Sequence, residues 1–225
     1  MKKVFAIVLA MVLTLVLSVS VCAAPGQFVN SPSNNGAPIL VSVERGSEDC
    51  TGELIITPYN QRNTLPTDLK TLIEKAYDEI VASKDLTTLN KDLAAVAAAQ
   101  KIAGKNLKVS DLFDIRYEGC TSHNENHTFN IVLKADTLHR FVGLLHMKHN
   151  GEWELIKNAK VINNGEELSF TISDFSPFAI VVDTSDAGGD SPVTGNGKDI
   201  AIYGSLMLVS AMAIVVLVVK SKKYA

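Results

Sequence analysis

Residues 141–182 read FVGLLHMKHNGEWELIKNAKVINNGEELSFTISDFSPFAIVV, and this stretch decides the fold. Apolar runs rich in β-branched and aromatic residues are separated in it by two Asn-Gly turns, at 149–152 and at 163–166. Asn-Gly favours tight hairpin turns, because both residues tolerate the positive φ angles that such turns require. Closely spaced strands joined by tight turns predict an antiparallel β-sandwich.

The strand pattern begins earlier in the chain and is interrupted by a helical period. Apolar residues recur every three or four positions over 66–83, which predicts an amphipathic helix. A second, alanine-rich helix is predicted from Asn90, as its cap, to about Ala103, where Gly104 ends it. The fold class is therefore mainly β with a helical insertion at about 66–104, whose second helix lies over the other elements as a lid. The predicted strands are Pro38–Val43, Glu53–Thr57, Leu112–Tyr117, Phe129–Lys134, Phe141–Lys148, Trp153–Lys157, Glu167–Ile172 and Phe178–Val182.

The N-terminus has the pattern of a secretory signal peptide. Lys2 and Lys3 precede an uncharged apolar stretch, and small residues stand before a cleavage position between Ala23 and Ala24. The alternative is a lipoprotein modified at Cys22. A lipobox needs a small residue before its cysteine, however, and this chain has valine there. We therefore predict a signal peptide over 1–23.

The C-terminus has the pattern of a single transmembrane helix. Residues 200–219 contain no charged side chain, and a helix of about twenty residues spans the roughly 30 Å hydrocarbon core of a bilayer. The lysines within 220–225 predict a basic cytoplasmic tail, so the chain before the span lies outside the cell.

A five-residue motif precedes this span: Ser191, Pro192, Val193, Thr194 and Gly195. It resembles the Leu-Pro-x-Thr-Gly signal of cell-wall proteins from Gram-positive bacteria, in the Ser-Pro-x-Thr-Gly form that clostridial sortases use. The resemblance implies that a sortase cysteine attacks the Thr194 carbonyl, breaks the bond to Gly195 and transfers the chain to an amine of peptidoglycan. The alternative is a single-pass membrane protein that is never cleaved.

A second resemblance concerns the folded part. Residues 105–184 resemble a β-rich module that precedes the sorting signal in many clostridial surface proteins. The segments that carry it are VSDLFD at 109–114, LHMKHNGEW at 145–153 and FTISDFSPFAIVV at 170–182. The resemblance implies a surface location and a β-rich fold, and it brings no catalytic residues with it.

Composition and charge set the domain limits and exclude one class of partner. A Pro-, Gly-, Asn- and Ser-rich leader at 24–36 precedes the β-rich ectodomain at 37–184, and a linker at 185–199 follows it. Of the 21 Lys+Arg and 24 Asp+Glu residues, six basic and one acidic lie outside 24–194. The displayed stretch therefore carries 15 basic and 23 acidic residues, a net charge of −8. Such a surface repels nucleic acid and anionic lipid, so we expect no nucleic-acid partner.

Two cysteines remain after signal cleavage, Cys50 and Cys120. An even number in an exported chain is compatible with one disulfide, and both precede predicted strands, so they are placed to meet at one end of the sandwich. The alternative is two unpaired thiols, because pairing geometry cannot be derived from sequence. We predict the Cys50–Cys120 bridge.

The histidines are the main candidates for a metal site. His123, Glu125 and His127 alternate in sequence and would share one face of a strand. The stretch is very polar, however, which is typical of an exposed loop, so we expect no metal and no other cofactor. His146 is expected to be partly buried beside Leu144, and a histidine three residues later to be exposed at the turn.

No arrangement of residues indicates catalysis. The chain contains no Gly-x-Ser-x-Gly elbow and no phosphate-binding glycine loop. Trp153 alternates with Leu155 and is expected in the core rather than on a sugar-binding surface. The sequence therefore predicts a non-enzymatic, wall-anchored surface protein that acts as a binding, adhesive or structural module. Its predicted partners are a sortase, peptidoglycan, the membrane through 200–219 and an extracellular ligand, and a secreted hydrolase is the remaining alternative.

Overall fold

Two antiparallel sheets form from the alternating segments of the chain. The protein is represented by a computed structural model that describes residues 26–32, 38–45, 52–118 and 128–185. Within these ranges, the four-stranded sheet has the order β1-β4-β8-β7 and the five-stranded sheet the order β2-β3-β9-β5-β6. The strands are β1 Ile39–Arg45, β2 Glu53–Pro58, β3 Leu107–Glu118, β4 Phe129–Lys134, β5 Phe141–Met147, β6 Trp153–Leu155, β7 Lys160–Ile162, β8 Glu167–Ile172 and β9 Pro177–Asp183.

The helical insertion lies between β2 and β3, as the sequence predicts. Helix α1 spans Thr67–Ala82 and helix α2 spans Lys91–Ala99. Asn90 caps α2, because its side-chain oxygen accepts hydrogen bonds from the backbone N–H groups of Asp92 and Leu93 in the first turn. Shorter 3₁₀ turns occur at Tyr59–Thr64, Leu86–Thr88, Gly104–Asn106, Leu138–Arg140 and Asn163–Gly165.

The inner faces of the two sheets pack on each other. Because side chains alternate along a strand, every second residue of each sheet points into the space between the sheets. In β4, for example, Phe129, Ile131 and Leu133 are buried, whereas Asn130 and Lys134 are exposed. This confirms the predicted antiparallel two-sheet core. The fully buried members of this layer are Phe113, Ile115, Ile131, Leu133, Leu144, Leu168, Phe178 and Ile180.

The helices cover the other face of the five-stranded sheet. The apolar residues of α1 and α2 pack there against alternate residues of β3, β5 and β9, so this sheet is buried on both faces. The described part of the chain therefore has three layers, with the five-stranded sheet in the middle. The fully buried members of the second core are Ile73, Ala76, Ile80, Leu86, Leu93, Leu107, Val109, Leu145, Met147, Ala179 and Val181.

Helix α2 ends earlier than predicted. It stops at Ala99 rather than Ala103, because Lys101 adopts a left-handed conformation with φ of 59°. The N–H of Lys101 donates to the Ala98 carbonyl and the N–H of Ile102 to the Ala97 carbonyl. These two bonds form a Schellman motif, which satisfies the last carbonyl groups of the helix. Glycine usually occupies the left-handed position, so the sequence does not reveal this stop.

Other details also differ from the prediction. β6 ends at Leu155 instead of Lys157. β7 was not predicted, because three residues are too few to show a period. β3 begins at Leu107 instead of Leu112, since a register shift between Val109 and Asp111 breaks its alternation. His146 is fully buried rather than partly buried. No helix in the described ranges is long and apolar enough to cross a membrane, and the predicted spans 1–23 and 200–219 lie outside those ranges.

Candidate functional site: a groove between helix α2 and the sheet edges

Most of the predicted site residues lie outside the described part of the chain. This applies to the sorting motif 191–195, to the cleavage position between Ala23 and Ala24, and to Cys50 and Cys120. It also applies to His123, Glu125 and His127, while the residues that the structure describes contain no cluster of three or more metal-ligating side chains. The processing, disulfide and sorting assignments therefore stay predictions.

Trp153 lies where the sequence predicts, in the core. Its side chain is packed under α1, and the indole Nε1–H donates a hydrogen bond of 2.8 Å to Oε2 of Glu79. A buried indole needs such a partner, because an unsatisfied N–H is costly. Trp153 therefore fastens the β6 strand to α1 and does not form a sugar-binding surface.

His146 belongs to a buried polar network that the sequence analysis missed. The imidazole stacks on Phe178 between the two sheets, with 4.6 Å between ring centroids. Its Nδ1 lies 2.8 Å from Oε1 of Glu154, and its Nε2 lies 2.5 Å from Oγ of Ser176. The Ser176 hydroxyl donates in turn to the Met147 carbonyl at 2.6 Å. Serine, histidine and glutamate thus stand in the order found in hydrolase triads.

The network holds backbone together and presents no nucleophile to solvent. Ser176 and His146 are both fully buried, and the Ser176 hydroxyl lies within hydrogen-bond distance of the Met147 carbonyl as well as of His146 Nε2. Burial lowers the pKa of His146, and the hydrogen bond and charge of Glu154 act in the opposite direction. Although burial acts to raise it, hydrogen bonds from His146 and Lys148 hold the pKa of Glu154 below its usual range. These contacts join the β5–β6 hairpin to the turn before β9.

Asp114 is a second buried polar group, and it is isolated. It lies on the helix-facing side of β3 with no exposed surface, and neither of its carboxyl oxygens has a hydrogen-bond partner among the described residues. Burial raises the pKa of Asp114 to about 7. The positive charge of Arg116 lowers this pKa and the negative charge of Asp68 raises it, but both effects are smaller than that of burial. An uncompensated buried carboxylate is unfavourable, so this position makes folding sensitive to pH.

A groove of about 860 Å³ runs along helix α2, within the roughly 300–1,000 Å³ range of ligand-binding pockets. One wall is the exposed side of α2, where the small side chains of Ala95 and Val96 keep the groove open. The opposite wall comes from the 3₁₀ turn at Leu138–Arg140 and from the turn that contains Asn164 and Gly165. The floor is apolar and consists of Phe141, Val142, Gly143, Leu155 and Ile156.

The edges of both sheets meet at this groove. β6 pairs only with Leu145–Met147 of β5, and the N–H of Ile156 adds one bond to the Leu144 carbonyl. The chain then crosses to the other sheet, so in the described ranges no strand lies beside Phe141–Gly143 on the side away from β9. β7 is the last strand of the four-stranded sheet, and its residues Lys160 and Val161 line the same groove.

The groove also carries local positive charge. Lys157 reaches across to α2 and pairs with Asp92, with 2.8 Å between Nζ and Oδ2. Lys160 and His139 line the opposite wall and have no ion-pair partner among the described residues. Asp92 offsets the charge of Lys157, so Lys160 is the lining residue whose positive charge is left without a partner among the described residues. The groove can accept an elongated ligand with apolar and acidic groups.

Sequence reasoning missed the groove because its parts come from three distant segments, 92–100, 138–143 and 155–165. For the buried network, the sequence does contain one indication that His146 and Glu154 are neighbours. The Asn-Gly turn sets the hairpin register, and that register places His146 opposite Glu154. Comparisons of the chain with protein-family models, with curated proteins and with solved structures found no match.

Proposed function

We propose that this chain is a secreted surface protein that a sortase anchors to peptidoglycan, and that its folded domain is a non-enzymatic binding module. The order of features at the C-terminus supports the anchoring: the Ser191–Gly195 motif, the uncharged residues 200–219 and the terminal lysines. The binding role is carried by one observation, the α2 groove, whose floor lies beside an open strand edge.

The anchoring reaction follows from the motif. A sortase thiolate attacks the Thr194 carbonyl, the amine of Gly195 leaves, and the resulting thioester passes its acyl group to a peptidoglycan amine. Pro192 favours an extended substrate peptide with less entropy to lose on binding. The span at 200–219 would hold the chain at the membrane until the enzyme reaches it.

Cell fractionation tests the anchoring. We expect wild-type protein to stay with the wall in boiling detergent, whereas Thr194→Ala and Pro192→Ala should accumulate at full length in the membrane fraction, the former more strongly. Val193→Ala is the matched control, because any residue is tolerated at that position of the motif. Wild-type amounts of Thr194→Ala in the wall would replace this proposal with the uncleaved single-pass membrane protein.

Retention of whole cells tests the binding role. Cells that display the protein should be held by a surface coated with host-matrix or neighbouring-cell extract, and cells that lack it should not. Ala95→Trp fills the groove from its exposed wall, and Ala98→Trp places the same side chain at an exposed position of α2 that does not line the groove. Retention should fall only with Ala95→Trp. Equal retention of cells with and without the protein would remove the binding role.

A further inference from the structure

We infer that the groove binds an extended, acid-bearing peptide, which adds as a strand beside the open edge of β5. This inference rests on the proposed function, because it names the ligand class of the same surface. The juxtaposition that carries it is an unpaired strand edge, an apolar floor and the unpaired lysine Lys160 in one groove. Each of these selects for a different property of the ligand.

The open edge selects for a main chain. The register of β5 against β9 pairs Phe141 with Val182 and Gly143 with Val181, so Val142 is the extra residue of a bulge and is opposed by no residue of β9. A bulged residue is left out of the strand ladder, and its N–H and C=O groups need other partners. An extended peptide in the groove supplies N–H and C=O groups of its own at this edge.

The walls and floor select for a narrow, alternating segment. α2 presents Ala95 and Val96 to the groove, and their small side chains leave space beside the β5 edge. An added strand lies roughly 4.8 Å from its neighbour and points alternate side chains to opposite faces. Its apolar positions would pack on Leu155 and Val161, which are both half-buried in the unliganded groove.

The charges select for acidic side chains. Lys160 and His139 have no ion-pair partner among the described residues, and Lys157 is held at the groove by Asp92. Lys160 is therefore available to pair with an acidic side chain of a bound peptide. A carbohydrate is less favoured, because Phe141 is the one aromatic side chain among the described lining residues and Trp153 is buried elsewhere.

The test uses the full-length chain in detergent micelles and a defined probe. The probe is the fluorescein-labelled peptide Ac-Thr-Val-Asp-Val-Thr-Ile-Asp-amide, with empty micelles as the blank. We expect saturable binding in fluorescence anisotropy. A version with Lys in place of both Asp should bind at least about tenfold more weakly. So should a version with all of its amide nitrogens methylated, because it cannot donate to a strand edge from either side.

Protein variants locate the site. Lys160→Glu should weaken binding of the acidic probe and strengthen binding of the Lys version. Lys105 is an exposed lysine that does not line the groove, so Lys105→Glu should change the binding of neither probe. Ala95→Trp should abolish binding and Ala98→Trp, at an exposed position outside the groove, should preserve it. Hydrogen–deuterium exchange should show that the acidic probe protects the segment 141–144.

Several outcomes would overturn the inference. Equal binding of the methylated probe would exclude strand addition, and an unchanged charge preference in Lys160→Glu would exclude the basic wall as the determinant. Absence of binding by every probe, with groove-dependent cell retention intact, would refute the peptide class and leave the binding role standing. Absence of both probe binding and groove-dependent cell retention would refute the binding role itself.

Discussion

Asp114 should make the folded protein more stable in mild acid than at neutral pH. Its carboxyl group is fully buried without a hydrogen-bond partner in the described ranges, and its pKa is raised from 3.8 to about 7. The folded state therefore binds a proton more tightly than the unfolded state. Stability from this group is complete below pH 4 and is lost as the pH rises from about 4 to about 7.

The magnitude follows from the two pKa values. A rise from 3.8 to about 7 corresponds to roughly 4 kcal/mol of lost stability well above pH 7, at about 1.4 kcal/mol for each unit. Between pH 5 and pH 8 the loss is about 2.5 kcal/mol, because the unfolded carboxyl is already mostly ionised at pH 5. This is a large fraction of a typical domain stability of about 5–15 kcal/mol.

The variant Asp114→Asn tests this reasoning, because an amide has similar shape and no charge at either pH. We expect the stability difference between variant and wild type to shift by about 2.5 kcal/mol in favour of the variant between pH 5 and pH 8. Urea unfolding at both pH values measures it, with fluorescence from Trp153, the single tryptophan, as the signal. Glu44→Gln, at an exposed position, is the control, and its stability difference from wild type should be the same at both pH values. Parallel pH profiles of Asp114→Asn and wild type would refute the reasoning.

Three further predictions follow from the local geometry. Ser176→Ala should destabilise the fold by about 1–3 kcal/mol, because it leaves a ring nitrogen of His146 buried without its partner; unchanged urea unfolding would contradict this. Lys101→Gly should stabilise the fold by up to about 1 kcal/mol, since glycine adopts the left-handed conformation without strain, and a lower midpoint would count against it. Mass spectrometry of the exported protein should find Cys50 and Cys120 joined; full alkylation of both without reductant would exclude the bridge.

The elements that the sequence predicted well are those whose period is long and uninterrupted. β4 and β8 begin and end at the predicted residues, because their alternation shows both the buried and the exposed face. α1 follows from its helical spacing, and the Asn-Gly turn at 149–152 gives the β5–β6 hairpin. In each case the information is contained within one local segment.

The features that the sequence did not predict depend on contacts between distant segments. Ser176 reaches His146 only because β5 and β9 are neighbours in the five-stranded sheet. The burial of Asp114 depends on α1 covering β3. The groove exists because the chain leaves one sheet after Ile156 and enters the other at Lys160, which leaves part of the β5 edge without a neighbour.

The position of β9 has a mechanical consequence. β9 lies between β3 and β5, and Thr184 continues the contact with a hydrogen bond to the Asn106 carbonyl. In an anchored protein, a pulling force from the wall would enter the domain at Ser185 and act along the axis of β9. Antiparallel hydrogen bonds run perpendicular to the strands, so this force would load both ladders together in shear. The domain would resist such a force with all of these bonds at once.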